Sequence, residues 1–254
     1  MGLKDEIAKN YTEEMIEKHG TKSINPGPRR IMVFGTNEDQ GNIGSSIVRR
    51  LFQSHYVQGI SEGDFDICRP STYPDMTEVD AIINCCGFTN LAWIEDQPLA
   101  SLRQTVEVNL IGAMALTAEF VRQTITNRYL KHVIHIGSMA YNHVLNASAP
   151  YCASKAGLAH FVNCAAYELT PKGYRVHCVH PSNTEGTPMT AATIQGIMRY
   201  RNISSEEAVM YWAASNQMDR WLQPEDIANA VRWLLSDQAD FWSGQQVELK
   251  GGNR

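Results

Sequence analysis

The sequence lacks the features that mark membrane-spanning, nucleic-acid-binding and secreted proteins. No apolar run approaches the roughly 18 residues that a helix needs to cross a bilayer, and the charged stretch of residues 1–20 does not resemble a signal peptide. Lys and Arg are not clustered and the formal net charge is -5, which argues against nucleic acid or an anionic membrane as a partner. These absences favour a cytoplasmic protein that acts on a small molecule.

Cysteine is present, but without the spacings of a zinc site. The six cysteines form no C-x-x-C pair and no His–Cys spacing typical of zinc, and they lie in apolar contexts. We therefore interpret them as reduced core residues and predict no metal site. With 254 residues, 43% of them apolar and 19% charged, the chain has the proportions of one sizeable globular domain.

The N-terminal residues predict a helical arm outside that domain. Apolar residues recur every four positions, at Leu3, Ile7, Tyr11 and Met15, which places them on one face of a helix. A Pro-Gly-Pro linker at 26–28 then separates an arm of residues 1–29 from a domain of residues 30–254. We expect the arm to pack on its own domain or on a neighbouring subunit, with a regulatory or targeting role as the alternative.

From Arg30 onward, short apolar runs alternate with longer stretches of helical period. Runs such as IMVF and VDAIINCC show no polar residue at every second position, which is typical of parallel strands covered on both faces. The alternation predicts βαβ units and a parallel sheet between layers of helices. Ligands of such sheets bind at the carboxyl ends of the strands, so motifs there matter most.

The loop FGTNEDQGNIG, residues 34–44, follows the first predicted strand and enters a helix. Glycines at such a place let a pyrophosphate approach backbone N–H groups and the positive end of the helix dipole. Its glycines are spaced six and then three apart, which differs from the dinucleotide fingerprint, so the loop alone is either a nucleotide site or an ordinary turn. Asp66, about twenty residues beyond Gly44, favours a nucleotide site, because an acidic side chain there can bind a ribose or adenine group.

The most specific pattern in the sequence is formed by Ser138, Tyr151 and Lys155. Tyr151 and Lys155 are four residues apart, so a helix brings both side chains to one face. A phenol has a pKa of about 10, too high for efficient proton exchange at neutral pH, and a nearby ammonium group lowers it. Ser138 ends a predicted strand thirteen residues before Tyr151, where its hydroxyl can bond a substrate oxygen that gains charge. Together the three residues predict a general acid/base site.

From about Arg30 to Gly252 the chain resembles the short-chain dehydrogenase/reductase family. The matching segments, in the family's order, are NCCG, VEVNL with Asn109, the Ser138 strand, YCASK, VHPSNTEGTPM and SGQQVELKGG. The resemblance implies a single α/β domain with a Rossmann-like, doubly wound parallel sheet of about seven strands and helices on both faces. It also implies an oxidoreductase that transfers hydride reversibly between NAD(P) and a carbonyl or alcohol substrate.

The resemblance also implies roles for individual residues. Tyr151 would exchange a proton with the substrate oxygen, and Lys155 would bind the nicotinamide ribose and lower the pKa of Tyr151. Ser138 would orient the substrate, and Asn109 would hold a water molecule that links Lys155 to solvent. Besides Tyr151 and Lys155, the implied cofactor-binding residues are Gly35, Asn37, Gly41, Asn42, Ile43, Gly44, Ser61, Asp66, Ile67, Asn84, Cys85, Cys86, Gly87, Pro181, Ser182, Thr184 and Thr187. Asn84 could also fix neighbouring strands by hydrogen bonds.

Two departures from the family pattern concern the cofactor contacts. The glycine loop is longer than the family's, and the family's Pro-Gly has become Pro181-Ser182, with an extra residue before Thr187 that shifts a backbone contact towards Thr184.

The choice between NAD and NADP depends on charge near the adenosine ribose. A 2'-phosphate needs Arg or Lys, whereas the sequence offers Glu38, Asp39 and Glu62. These charges favour NAD, although Arg69 is close in sequence.

Residues 184–222 resemble the family's substrate lid. They are rich in Met, Tyr and Trp, which either bury the lid helices or line the pocket of a partly apolar substrate. His143 and Asn146 are further candidate substrate contacts. The family assembles through the helices that bear VEVNL and YCASK, so we expect a homodimer or homotetramer.

Two other functions remain open. The segment GDFDI followed by VDAIINCCG resembles the extended, sugar-nucleotide branch of the family, in which an aspartate-bearing third strand precedes a similar fourth strand. That branch includes epimerases and dehydratases that retain NAD through turnover. The altered glycine loop suggests a non-catalytic dinucleotide-sensing protein as a second alternative.

Overall fold

The computed structural model describes residues 27–36, 42–125, 129–213, 218 and 220–251. Six parallel strands form one sheet, β1 (Arg30–Thr36), β2 (Tyr56–Ser61), β3 (Ala81–Asn84), β4 (Lys131–Ile136), β5 (Tyr174–Pro181) and β6 (Gln246–Leu249). The spatial order is β2-β1-β3-β4-β5-β6, so the chain winds outward in opposite directions from the boundary between β1 and β3. In doubly wound sheets, ligands bind at the carboxyl ends of the strands beside that boundary.

Helices cover both faces of the sheet. They are α1 (Ile43–Leu51), α2 (Leu99–Val106), α3 (Gly112–Thr124), α4 (Ala149–Leu169), α5 (Pro188–Arg201), α6 (Ser205–Ala213) and α7 (Pro224–Leu234). Phe120 of α3 and Val162 of α4 pack in the core on one face, whereas Ile47 of α1 and Val231 of α7 pack on the other. The predicted Rossmann-like fold is therefore confirmed. None of the described helices combines the length and apolar character that crossing a bilayer requires.

The sheet has six strands in the described chain where the sequence predicted about seven. The segment around Asp66, predicted as a strand, forms no ladder. Asp66 Oδ1 accepts a hydrogen bond from Cys68 N at 2.9 Å, and Asp66 N donates to Thr72 Oγ1 at 2.9 Å. These bonds to side chains fold the backbone into a turn instead of an extended strand. Phe65 and Ile67 are nevertheless buried. The strand that the resemblance to the extended branch implied for this segment is not formed in the described chain.

A buried ion pair lies at the amino ends of the strands. Nζ of Lys131 lies 3.0 Å from Asp80 Oδ1 and 2.9 Å from the Val79 carbonyl oxygen, and the side chain of Lys131 is only 2% exposed. Asp80 Oδ2 also accepts a hydrogen bond from Arg30 N at 2.9 Å. Both charged groups thus have partners that compensate for their removal from water.

Two buried histidines of the same sheet have imidazole rings that make no hydrogen bond in the described part of the chain. His132 follows Lys131 on β4, and His177 lies on β5. Neither of their rings has a hydrogen-bond partner within the described residues. Burial lowers the pKa of His132 well below its ordinary value and that of His177 to about 4, so both rings are neutral at neutral pH.

The lid helices α5 and α6 have a small core of their own. Ile197, Ala208 and Trp212 are buried there, and the rings of Trp212 and Trp221 stack with their centroids 4.8 Å apart. Several aromatic and Met residues of the lid therefore pack between the lid helices. This agrees with the interpretation that they form the lid's own core.

Candidate active site

Ser138 and Tyr151 meet beyond the carboxyl end of β4. The strand ends at Ile136, and the extended backbone of Ser138 lets its hydroxyl accept a hydrogen bond from Ala140 N at 3.2 Å. Helix α4 begins at Ala149 and carries Tyr151 to the same place, where the Ser138 hydroxyl is near enough to lower the pKa of the phenol. The structure thus brings these two predicted residues together.

Lys155 lies one turn further along α4 and is buried. Its Nζ donates a hydrogen bond to the Ile136 carbonyl oxygen at 3.1 Å and lies 5.7 Å from the ring centroid of Tyr151. Burial lowers the pKa of Lys155, and no carboxylate in the described chain pairs with it to oppose that effect. Among the described residues, the buried Nζ of Lys155 therefore bonds only the neutral carbonyl of Ile136.

The pKa of Tyr151 is raised above its ordinary value. Burial is the largest cause, and the hydrogen bond with Ser138 acts in the opposite direction. Lys155 is not among the groups that shift this pKa, and burial of the phenol is the largest cause, so the lowering effect expected of Lys155 stays a prediction. The phenol is protonated at neutral pH and can act as a donor.

Asn109 lies in a π-helical turn, Glu107–Ile111, that joins α2 to α3. Its Oδ1 accepts a hydrogen bond from Phe88 N at 2.8 Å, and its Nδ2 donates to the Phe88 carbonyl oxygen at 2.8 Å. Nδ2 also donates to Ser154 Oγ of α4 at 3.0 Å. One amide group thus ties the segment after β3 to the helix that carries the acid/base pair. Single π turns of this kind are frequent at functional sites.

Gly87 keeps a space open beside these residues. A methyl group on its Cα would lie 3.6 Å from Asn109 Oδ1 and 3.8 Å from Lys155 Nζ. It would also lie 3.6 Å from Cε of Met189, which belongs to the first turn of α5. The lid, α4 and the π-helical turn therefore meet at Gly87. The sequence placed Met189 only among the apolar lid residues, and its place at the start of the first lid helix was the signal for this position.

At the end of β1 two glycines let neighbouring backbone segments pack closely against each other. Gly35 has a left-handed φ of 82°, and a methyl group there would lie 2.8 Å from Cys86 N. A methyl group on Gly44 would lie 2.7 Å from the Gly35 carbonyl oxygen. Asn42 caps α1 by accepting a hydrogen bond from Ser45 N at 2.8 Å. Only glycine fits at both Gly35 and Gly44.

This arrangement fits the pyrophosphate of a dinucleotide. A helix start beside a strand end presents backbone N–H groups and a positive dipole end to an anion. Ile43 and Gly44 form that start. Asn37 and Gly41, the other predicted members of the loop, lie outside the described residues.

Three residues predicted on the adenosine side already have protein partners. The Ser61 hydroxyl donates to Asp64 Oδ2 at 2.7 Å, and Asp66 forms an ion pair with Arg69 at 3.2 Å. Ile67 is buried, and a methyl group on Gly112 would lie 2.8 Å from its Cγ1. Their contacts with a cofactor stay a prediction.

Asn84 links neighbouring strands, as one of the two predicted roles has it. Its Oδ1 accepts a hydrogen bond from Cys86 N at 3.0 Å, and its Nδ2 lies 3.3 Å from His135 Nδ1. Burial lowers the pKa of His135 to about 3, so the neutral ring accepts from Asn84 and donates from Nε2 to Thr117 Oγ1 at 3.0 Å.

Burial also raises the pKa of the Cys86 thiol to about 12 and raises that of Cys85, which keeps both thiols neutral.

The backbone after β5 is fixed by the last strand and the lid. The predicted residues here are Pro181, Ser182, Thr184 and Thr187. Ser182 N donates to the Leu249 carbonyl oxygen at 2.9 Å, and Thr184 forms an isolated parallel bridge with Leu222. Thr187 caps α5 by accepting a hydrogen bond from Thr190 N at 3.1 Å. Their contacts with a cofactor also stay a prediction.

His180, a fully buried residue of β5, was missed by the sequence analysis. Its Nδ1 lies 3.3 Å from Ser138 N and 3.0 Å from the Ser138 carbonyl oxygen, and its Nε2 lies 2.7 Å from Gln246 Oε1. The Tyr141 ring stacks on the imidazole with the centroids 3.9 Å apart. The sequence signal was a histidine directly before Pro181 in a buried strand.

Known proteins resemble this chain along most of its length. A family model described as Enoyl-(Acyl carrier protein) reductase matches residues 71–253. The 3-oxoacyl-(acyl-carrier-protein) reductase of Rickettsia conorii is 25% identical over 222 residues, which cover 87% of this chain and 85% of that protein. The reductase of the same description from Rickettsia bellii is 32% identical over 149 residues, which cover 59% of this chain and 56% of that protein.

Solved structures share the fold. Actinorhodin polyketide ketoreductase with NADPH has a TM-score of 0.78 at 21% identity, with 91% of this chain and 98% of that chain covered. Sorbitol-6-phosphate 2-dehydrogenase of Erwinia amylovora has a TM-score of 0.76 at 18% identity, with 87% and 98% covered. The family match spans well over half of the sequence, and the order of motifs and the sheet topology agree with it. The chain therefore belongs to the short-chain dehydrogenase/reductase family, whose members are NAD(P)-dependent oxidoreductases of alcohol and carbonyl groups.

Proposed function

We propose that Tyr151 is the general acid/base of this oxidoreductase and that Ser138, Lys155 and Asn109 assist it. The observation that carries the proposal is that Tyr151 lies beside the Ser138 hydroxyl, with the buried Nζ of Lys155 5.7 Å from the centre of its ring. During reduction, the protonated phenol donates its proton to a carbonyl oxygen that gains negative charge. During oxidation, the phenolate accepts the proton of the alcohol.

Ser138 and Lys155 stabilise different stages of the proton transfer. The Ser138 hydroxyl holds the substrate oxygen next to the phenol as charge develops. The ammonium group of Lys155 attracts the phenolate that remains after Tyr151 has given up its proton, and the attraction is strong because the site is buried. Such an attraction lowers the pKa of Tyr151 and so acts against the burial that raises this pKa in the structure. Asn109, whose Oδ1 faces the same space as Nζ, would hold the water that returns a proton to Lys155.

The cofactor would occupy the crevice that runs from Gly35 to Gly87. A bound nicotinamide cofactor supplies or accepts the hydride. The helix start at Asn42 and Gly44 would hold the pyrophosphate, and Lys155 would donate hydrogen bonds to the nicotinamide ribose. The remaining cofactor contacts in this proposal are Asn37, Gly41, Ile43, Cys85 and Cys86 near the phosphates, Ser61, Asp66, Ile67 and Asn84 towards the adenosine, and Pro181, Ser182, Thr184 and Thr187 around the nicotinamide.

Charge at the end of β2 supports NAD as the preferred cofactor. The Asp64 carboxylate accepts hydrogen bonds from the Ser61 hydroxyl and backbone, which lower its pKa and keep it ionised. A 2'-phosphate beside Ser61 would face this negative charge. Arg69, the cation nearest in sequence, is engaged by Asp66. Two solved neighbours of the same fold carry the phosphorylated cofactor, as NADPH or NADP, so the preference for NAD rests on these charges and not on the fold.

The exposed side chains around the site support a partly apolar substrate. Val144 is 96% exposed and Leu145 45%, in the loop between Ser138 and Tyr151, and Met210 of the lid is 71% exposed. This loop and the lid are linked, because Asn146 Nδ2 donates to the Tyr211 hydroxyl at 3.3 Å. Apolar side chains that lie open beside a polar reaction centre suit a small carbonyl or alcohol compound with an apolar portion. Asn146 in this proposal holds the lid and does not select the substrate.

The helices α2 and α3 support assembly into a homodimer or homotetramer. Val106, Ile111 and Met114 are each more than a third exposed on this one segment, where an apolar surface favours contact with another copy of the chain. A cytoplasmic location and a role for residues 1–29 in assembly complete the proposal.

The function can be tested by cofactor binding and turnover. The chain is titrated with NADH and with NADPH, and is then screened against ketones and alcohols that carry short apolar chains. Tyr151→Phe removes the phenol hydroxyl, and we expect turnover to fall by about 100-fold or more while cofactor affinity is kept. Tyr167→Phe is the matched control, since Tyr167 lies on the same helix and is 85% exposed.

Each outcome decides one part of the proposal. If wild type binds neither cofactor, the enzyme function fails, and if Tyr151→Phe keeps full turnover, the assigned acid/base is wrong. A clear preference for NADPH would refute the NAD preference alone. A sugar-nucleotide epimerase or dehydratase would consume substrate without net NADH formation, and the named relatives, which are reductases and dehydrogenases, do not favour it.

A further inference from the structure

His180 occupies a position between the acid/base site and the last strand of the sheet. A methyl group on Gly137 would lie 2.5 Å from His180 Nδ1, so the imidazole packs directly against the peptide that precedes Ser138. Both backbone polar groups of Ser138 lie within 3.3 Å of the same nitrogen. The ring therefore contacts Ser138 through its backbone and not through its hydroxyl.

The Gln246 side chain determines which ring nitrogen carries the proton. Its amide nitrogen donates to the Ala159 carbonyl oxygen at 3.1 Å and to Asn163 Oδ1 at 2.8 Å, so its amide oxygen faces His180 Nε2. Nε2 must then carry the hydrogen. The neutral ring then has a lone pair on Nδ1 that accepts the Ser138 N–H at 3.3 Å, while the Ser138 carbonyl oxygen, 3.0 Å from the same nitrogen, receives no hydrogen bond from it.

The ring is also held against rotation. Tyr141 stacks on it, and the Tyr141 hydroxyl donates to Glu248 Oε1 at 2.6 Å. Asn142 Nδ2 and Lys250 Nζ bond the same carboxylate at 3.0 and 2.6 Å. His180 thus has a fixed partner at each nitrogen and on one ring face.

We propose that His180 is a positioning residue, which connects Ser138 to helix α4 through Gln246 and thereby keeps the Ser138 hydroxyl directed at Tyr151. The inference rests on the proposed roles of Ser138 and Tyr151. Gln246 bonds α4 at Ala159 and Asn163, and His180 bonds Ser138, so one chain of hydrogen bonds sets the distance between the two halves of the acid/base pair. His180 itself touches neither substrate nor cofactor in this role.

The ionisation of Tyr151 reports on this positioning without any substrate. The Ser138 hydrogen bond favours the phenolate, so loss of that bond must raise the pKa of Tyr151. The measurement uses full-length chain with 3-fluorotyrosine at position 151, whose lower pKa brings the titration into a milder pH range, and follows the fluorine NMR shift. His180→Phe keeps a ring for Tyr141 to stack on and removes both nitrogens. We expect the ionisation constant of the phenol to fall about three- to tenfold.

The controls separate positioning from a general loss of structure. His177→Phe is the same substitution on the same strand, at an equally buried ring whose nitrogens make no hydrogen bonds in the described chain, and it should leave the ionisation constant unchanged. Ser138→Ala should give the full upward shift, and adding His180→Phe to it should give no more. His180→Asn, whose amide can again accept the Ser138 N–H, should restore most of the wild-type value.

Kinetics on whichever carbonyl compound the screen identifies give a second readout. His180→Phe should lower kcat by about the same factor and leave KM unchanged, because only the alignment for proton transfer is lost. The inference is overturned if His180→Phe leaves the ionisation constant unchanged while Ser138→Ala shifts it, or if the two shifts add. Either result leaves the proposed function intact, whereas full activity of Tyr151→Phe would overturn that function and not the measured coupling.

Discussion

Two lysines are buried to nearly the same depth in this protein, at opposite ends of the sheet. Lys131, at the amino end of β4, is paired with the Asp80 carboxylate at 3.0 Å. Lys155, beyond the carboxyl end of the same strand, bonds only the neutral Ile136 carbonyl in the described chain, and burial lowers its pKa. The first charge is compensated within the protein, whereas the second is left for something else to compensate.

The difference shows how a buried charge can be assigned to structure or to function. The ion pair at the strand starts links β1, β3 and β4, and its two charges neutralise each other. An uncompensated ammonium group beside a glycine-lined space can bind ribose hydroxyls and later a phenolate. Burial alone would mark both lysines as candidate functional residues, and only their bonding partners distinguish the two.

Replacement of Lys155 should have the largest effect on rate. Lys155→Met removes the charge that stabilises the phenolate, so we expect kcat/KM to fall by about 100- to 10,000-fold. Thermal stability should hold or rise, because a charge without a carboxylate partner leaves the interior. Steady-state kinetics and thermal unfolding of the same preparation test both halves, and a large loss of stability would mean that Lys155 is structural like Lys131.

Replacement of Lys131 should have the opposite profile. Lys131→Met leaves the Asp80 carboxylate buried without its ammonium partner, and we expect the free energy of unfolding to fall by about 3–5 kcal/mol. The kcat of the folded fraction should stay at the wild-type value. Denaturant unfolding measures the first quantity, and the double variant Asp80→Asn with Lys131→Met should recover part of the loss. If fully folded Lys131→Met had a lower kcat, Lys131 would also contribute to activity, and the proposed difference between the two lysines would be wrong.

Acid should weaken the fold through the buried histidines by a smaller amount. The pKa of His177 is about 4 in the folded chain and 6.5 in an ordinary environment, so the unfolded chain binds more protons between these values. The free energy of unfolding therefore falls as the pH falls, with a contribution from His177 of about 2 kcal/mol between about pH 7 and pH 5.

The variant His177→Phe isolates that contribution. Urea unfolding of wild type and variant at matched pH values gives two curves, whose difference should grow in favour of the variant towards acid. Parallel curves would show that His177 titrates normally and is not held neutral by burial. His132 and His135 keep part of the slope in both proteins, since their pKa values are lowered too.

The sequence predicted correctly the strands that helices cover on both faces. It predicted poorly the segment around Asp66, where a side chain bonds a backbone N–H. Strands β1, β3, β4 and β5 read as apolar runs because helices cover them on both faces. The GDFDI segment has apolar residues only at Phe65 and Ile67, and Asp66 between them bonds Cys68 N and draws the chain into a turn. Apolar periodicity carries no information about such bonds.

The acid/base group was predictable for a different reason. Ser138, Tyr151 and Lys155 depend on a strand end and one helical turn, which are local features of the sequence. His180 and Gln246 are 66 residues apart, and their contact depends on the register in which β5 pairs with β6. The raised pKa of Tyr151 was equally inaccessible, because it depends on how deeply the folded chain buries the phenol.

The π-helical turn at Glu107–Ile111 has a consequence for the evolution and redesign of this chain. Gly112 N donates a hydrogen bond to the Glu107 carbonyl oxygen, five residues earlier. An α-helix bonds residues four apart, so this turn contains one extra residue. The extra residue rotates α3 about the helix axis relative to α2. Each helix can therefore pack through its own face while Asn109 points inward. A single-codon deletion there would restore a regular helix and rotate everything on one side by roughly 100°. Alignments that treat this segment as an ordinary helix will therefore misplace Asn109, and grafts of the site must carry the turn intact.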